Sequence, residues 1–112
     1  MIFDRTESFR HAFGKPPEVR MKFKSGRENS VFGLLLDISP SGARVFVDNE
    51  IPAIADSFNI SFAITNETIR AECQIVWKKA AAGGWIYGLH LTRDAVREMF
   101  IADEVKALKE KK

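Results

Sequence analysis

From Val19 onward the chain alternates between apolar and polar positions. Val19, Met21 and Phe23 are separated by Arg20, Lys22 and Lys24, the period-two signature of a strand with one buried face. Ser25 to Ser30 is a polar turn, and Val31 to Leu36 is nearly continuous apolar chain. That run predicts a strand covered on both faces. Ala43, Val45 and Val47 then alternate with Arg44, Phe46 and Asp48, and Asp48 to Pro52 ends the element. Phe58, Ile60, Phe62 and Ile64 repeat the pattern, as do Ile69, Ala71, Cys73, Ile75 and Trp77. Thr65 to Thr68 between them reads as a hairpin, Lys78 to Gly84 as a small-residue loop, and Trp85, Tyr87, Leu89 and Leu91 as a last strand. Six short strands at even spacing predict a mainly β fold, a small antiparallel barrel or sandwich.

After Thr92 the period becomes helical. Val96, Met99, Phe100, Ile101, Val105 and Leu108 form an apolar stripe, wide enough to dock on a sheet. Thr92 is the expected N-cap, with Asp94 in the first turn and Lys106, Lys109, Lys111 and Lys112 towards the negative end. A short stripe beside a polar face of both signs predicts a helix plugging one end of the barrel rather than one lying on a membrane. Residues 1–18 show no clean period: Phe3, Phe9 and Phe13 are interleaved with Arg5, Arg10, His11 and Lys15, and Gly14-Lys15-Pro16-Pro17 breaks regular structure. We read them as a basic arm lying on one domain formed by residues 19–112.

The 112 residues suffice for one core. A net charge of +2 is too small to mark a nucleic-acid polymer as the partner. Cys73 is the sole cysteine, which excludes an intramolecular disulfide and a cysteine-rich zinc site. No apolar run approaches a membrane span, and the first residues lack a signal-peptide core, so a bacterial-type cytoplasm is the expected compartment. His11 and His90 are the only histidines. No ligand cluster has metal spacing, and neither a nucleophile elbow nor a phosphate loop feeding a helix occurs. The expectation is a binding protein, not an enzyme, with no metal and no cofactor.

The binding chemistry centres on Asp37-Ile38-Ser39-Pro40-Ser41-Gly42, between two apolar runs. It reads as a tight turn in which Asp and Ser bond nearby backbone and Gly42 supplies a positive φ. Packed at the mouth of a barrel under the basic arm, the turn would meet Arg5 and Arg10. An Arg fork bonds O6 and N7 of guanine and its plane stacks on a base, while a carboxylate accepts from guanine N1 and N2. Arg with Asp around one base is guanine chemistry. Ser39 and Gly42 allow close approach of phosphate or base. Arg44 is near enough in sequence to touch a phosphate, and Trp77, at a strand end, is either a base-stacking surface or a core aromatic.

These residues give the chain its resemblance to the PilZ domain, a bacterial receptor module for cyclic di-GMP. The family is a six-stranded barrel followed by a helix. Its signatures are R-x-x-x-R in the N-terminal arm and [D/N]-x-S-x-x-G further on. Asp37, Ser39 and Gly42 match the second in full, and Trp85 to Leu91 followed by a helix resembles the family's close. The first departs from the pattern, because Arg5 and Arg10 are five positions apart instead of four. The resemblance implies a sensor in which cyclic di-GMP binds Arg5, Arg10, Asp37, Ser39 and Gly42, orders the arm and signals to an effector protein. The alternative is a ligand-independent adaptor with a degenerate arginine motif. A barrel for single-stranded nucleic acid is disfavoured by the near-neutral charge and by aromatics expected to face inward.

Overall fold

A computed structural model describes residues 11–23, 30–51, 57–65 and 67–110. Among the described residues the chain forms seven strands and one helix: β1 (His11–Ala12), β2 (Glu18–Phe23), β3 (Ser30–Ser39), β4 (Gly42–Val47), β5 (Phe58–Ala63), β6 (Thr68–Ala81), β7 (Gly84–Leu91) and α1 (Ala95–Glu110). All pairings are antiparallel. The order β1-β3-β2-β5-β6-β7-β4, with β4 pairing back to β3, closes the six longer strands into a barrel. Closure removes the exposed sheet edges of an open sandwich. β1 is added to β3 at Asp37 and Ile38, on the edge that β2 uses from Ser30 to Leu34.

Alternation places the core as the sequence predicts. Val19, Met21, Val45, Val47, Phe58, Ile60, Phe62, Ile69, Ala71, Cys73, Tyr87, Leu89 and Leu91 point inward and are buried. Burial pushes the Cys73 thiol up to about 12, with the Glu72 charge adding to the effect, so it behaves as a small core hydrophobe. The buried Tyr87 hydroxyl accepts a 2.8 Å hydrogen bond from the Ile51 backbone N–H, tying down the chain that leaves β4.

Besides the added strand β1, which falls within the expected arm, three elements differ from the sequence expectation. Val31 to Leu36 is covered on one face only: Phe32 is 55% and Leu34 41% exposed on the outside of the barrel. The small-residue loop is much shorter than Lys78 to Gly84. β6 continues to Ala81, which pairs with Gly84, and Gly83 at φ 82° makes the two-residue turn. Alanines and lysines therefore occupy strand positions, because pairing to β7 decides the conformation over local propensity.

The helix begins with a different cap. The Arg97 backbone N–H donates to Asp94 Oδ1 at 3.1 Å, and the Asp94 N–H donates to Glu98 Oε2 at 3.1 Å. Asp94, not Thr92, is the N-cap, while the Thr92 backbone carbonyl accepts from the Arg97 guanidinium. Ile101 and Val105 are buried against the barrel, whereas Val96 and Met99 lie exposed. Thr65, after β5, donates to Glu104 and links that end of the barrel to α1. No helix among the described residues is long and apolar enough to cross a membrane.

Candidate functional site

The Asp37–Gly42 stretch is mostly strand. Asp37, Ile38 and Ser39 belong to β3 and Gly42 to β4, so the turn itself is Pro40-Ser41. Proline suits the first central position of such a turn. Gly42 pairs with Ser39 and with His90 in strand conformation, and the positive φ expected of it is not found. Ser39 is buried, and its hydroxyl donates to the Gly42 carbonyl at 3.4 Å. This bond braces the hairpin on the face that Ser39 shares with Asp37.

Asp37 reaches the outer face of the barrel through an irregularity in β3. Leu35 pairs with the inward-facing Val45, but Asp37 pairs with Arg44, the next residue of β4. Leu36 is the extra residue of a bulge. A one-residue insertion switches the face of everything after it, so Asp37 lies beside Arg44 instead of following Leu35 into the core. The Arg44 Nε donates to Asp37 Oδ2 at 2.7 Å. The Asp37 side chain is 3% exposed and that of Arg44 43%. A charge-assisted bond of this length is worth about 1–3 kcal/mol, towards the low end when one partner is hydrated.

A second bulge does the same on the far side of the face. Ile75 pairs with Leu89, then Trp77 pairs with Gly88. Val76 is the extra residue and is exposed. Trp77, which simple alternation would bury behind Ile75, instead lies on the outside and is 42% exposed. A Cβ at Gly88 would run into its indole ring, so the ring rests on bare β7 backbone. Arg44 pairs with Gly88 across β4 and β7. Asp37, Arg44, Gly88 and Trp77 thus form one row across four strands: a carboxylate, a guanidinium, a gap and an aromatic plane.

β1 borders this row. Ala12 pairs with Asp37 and His11 with Ile38. The Phe13 N–H donates to the Leu36 carbonyl at 3.0 Å, and the His11 ring meets the Phe13 ring edge-on at 4.8 Å. Burial, aided by the Lys109 charge, lowers the His11 pKa from its ordinary 6.5. Arg5 and Arg10 lie outside the described residues. Among the described residues no group of three or more His, Cys, Asp or Glu could hold a metal ion.

The PilZ domain family model matches residues 4–103. The chain belongs to the PilZ family. Among solved structures the PilZ domain of YcgR from Escherichia coli with c-di-GMP has a TM-score of 0.68 at 13% identity, covering 90% of this chain and 89% of that one. The inhibitor of motility MotI/DgrA of Bacillus subtilis gives 0.71 at 14% identity over 92% of this chain, which spans 50% of that protein. The PlzA protein of Borreliella burgdorferi in complex with c-di-GMP gives 0.56 at 10% identity, with 99% of this chain and 57% of that one covered. At such identities the likeness is one of fold. No curated protein matches the chain by sequence. Within this PilZ domain, Asp37, Ser39 and Gly42 come together at the β3–β4 hairpin. Sequence reading gives Arg44 and Trp77 lesser weight because the two bulges that bring them into line with Asp37 leave no mark on hydrophobic periodicity.

Proposed function

We propose that this PilZ domain is a receptor for cyclic di-GMP that passes the signal to a partner protein. The observation that carries the reading is the cross-strand row Asp37–Arg44–Gly88–Trp77. An indole face stacks on a purine, worth about 1–3 kcal/mol per base. The Arg44 Nε engages Asp37, which leaves its terminal nitrogens to meet phosphate or the O6/N7 edge of guanine. Asp37 is the acceptor suited to guanine N1 and N2. The ligand's two negative phosphates need further cations. Arg10 precedes His11, whose partner in β3 is Ile38, and in this reading it supplies one of them. Arg5 is five residues further on, within reach of the second phosphate given about 3.3 Å of chain per residue. Engagement of these arginines would order the arm and give a partner a new surface, a recognised form of switching. The similar structures that hold c-di-GMP support the choice of ligand.

Titration calorimetry with cyclic di-GMP tests the reading. Wild type is expected to bind, and Arg10→Ala to bind at least tenfold more weakly. Ligand at a hundred times its dissociation constant should add about 2.7 kcal/mol of stability, seen as a raised melting temperature. No heat and no thermal shift with wild type would sink the proposal and leave the ligand-independent adaptor.

A further inference from the structure

We propose that the outer face of β3 and β4, beside the Asp37 row, is a docking surface for a basic, amphipathic segment of a partner protein. Phe32, Leu34 and Phe46 share this face, with Leu34 and Phe46 paired directly across the two strands. The first two are more than two-fifths exposed, although burying them would be favourable. They line a groove of about 210 Å³ whose polar side chains are Glu18 and Asp48. Glu18 pairs with Leu34 from the β2 side, and Asp48 follows the end of β4. On the remaining flank Arg20 already sits 5.9 Å from the centre of the Phe32 ring. The vacant charge complement of the groove is therefore cationic. A Lys or Arg can lay its alkyl stem on the aromatic floor and direct its charge to either carboxylate. An acidic segment would meet two like charges. Three apolar anchors make a contact below the size of a permanent interface, as suits a transient signalling partner. Phe46 is two residues along β4 from Arg44, so a docked partner would adjoin the ligand row. The proposal rests on the partner half of the functional reading and not on its nucleotide half.

The probe is a short fluorescein-labelled peptide alternating Leu and Lys, beside a counterpart with Glu replacing every Lys. Fluorescence anisotropy should show the Lys peptide binding wild type about tenfold more tightly than the Glu peptide, the effect of two exposed ion pairs made or opposed. Glu18→Lys with Asp48→Lys should reverse that preference. Phe32→Ser with Leu34→Ser should weaken the Lys peptide about tenfold. Amide shifts in a titration should cluster at Gly33 and Val47. Equal binding of both peptides, no binding, or shifts centred on α1 would overturn the proposal. Calorimetry with cyclic di-GMP on the same variants should match wild type. Loss of nucleotide binding with loss of peptide binding would merge the two sites and also overturn it.

Discussion

At the scale of single residues, the site depends on a side chain that is missing. Gly88 leaves β7 bare so that the Trp77 indole can lie flat on it. Gly88→Ala should push the ring out of line, lower stability by about 1–3 kcal/mol and weaken cyclic di-GMP binding about tenfold. Trp77→Ala should weaken binding by about 1–3 kcal/mol while lowering the melting temperature less than Gly88→Ala does, because Trp77 is 42% exposed. Calorimetry and thermal melts on the two variants separate these outcomes. Equal affinity in all three proteins would remove Trp77 from the ligand site. Of the residues singled out from sequence, Asp37 and Ser39 could be read because capping residues between two apolar runs mark a turn. The role of Trp77 could not, since its position in the alternation matches that of the inward-facing Ile75. The same error makes inward aromatics a poor reason to set aside nucleic acid, given that Phe32 and Trp77 face outward.

At the scale of elements, the six barrel strands were legible, four of them to within one residue at each end, while β1 and the far ends of β3 and β6 were not. Alternation located β2, β4, β5 and β7 because one face of each is buried. It ran through the bulge of β6 to Trp77, and the apolar run of β3 stopped at its bulge residue Leu36, because one inserted residue changes faces without changing composition. Helix α1 was legible from its stripe, but its start depends on a hydrogen bond. Asp94→Ala should cost about 1 kcal/mol of stability and Thr92→Ala less than about 0.5, measured by urea unfolding. The reverse ranking would restore Thr92 as the cap. β1 brings a pH dependence. The folded state holds the His11 pKa below its ordinary 6.5, so the unfolded chain takes up a proton first as pH falls. His11 therefore contributes stability above about pH 6.5, and that contribution is lost as pH drops through the folded value. Melting temperature should decline below pH 6.5 by less in His11→Gln than in wild type. Parallel pH profiles would show that His11 plays no part.

At the scale of the whole molecule, β3 both closes the barrel and carries Asp37. One of its edges belongs to β4, and the other is divided between β2 and the two residues of β1. The division falls at Gly14 to Pro17, where the Pro17 carbonyl accepts from Leu35 and the Leu36 carbonyl from Phe13. Two prolines there supply no N–H of their own. β1 can thus separate from β3 while the other six strands remain closed, an opening far smaller than global unfolding. In deuterium the Phe13 amide should exchange at the rate of this local opening, and the Met21 amide at that of the whole barrel. A ligand gripped by Arg10 would slow exchange at Phe13 as well as at Met21, whereas binding that involved the barrel alone would slow Met21 and leave Phe13 unchanged. The same sample thus contains a probe of the arm and its reference, eight residues apart in sequence.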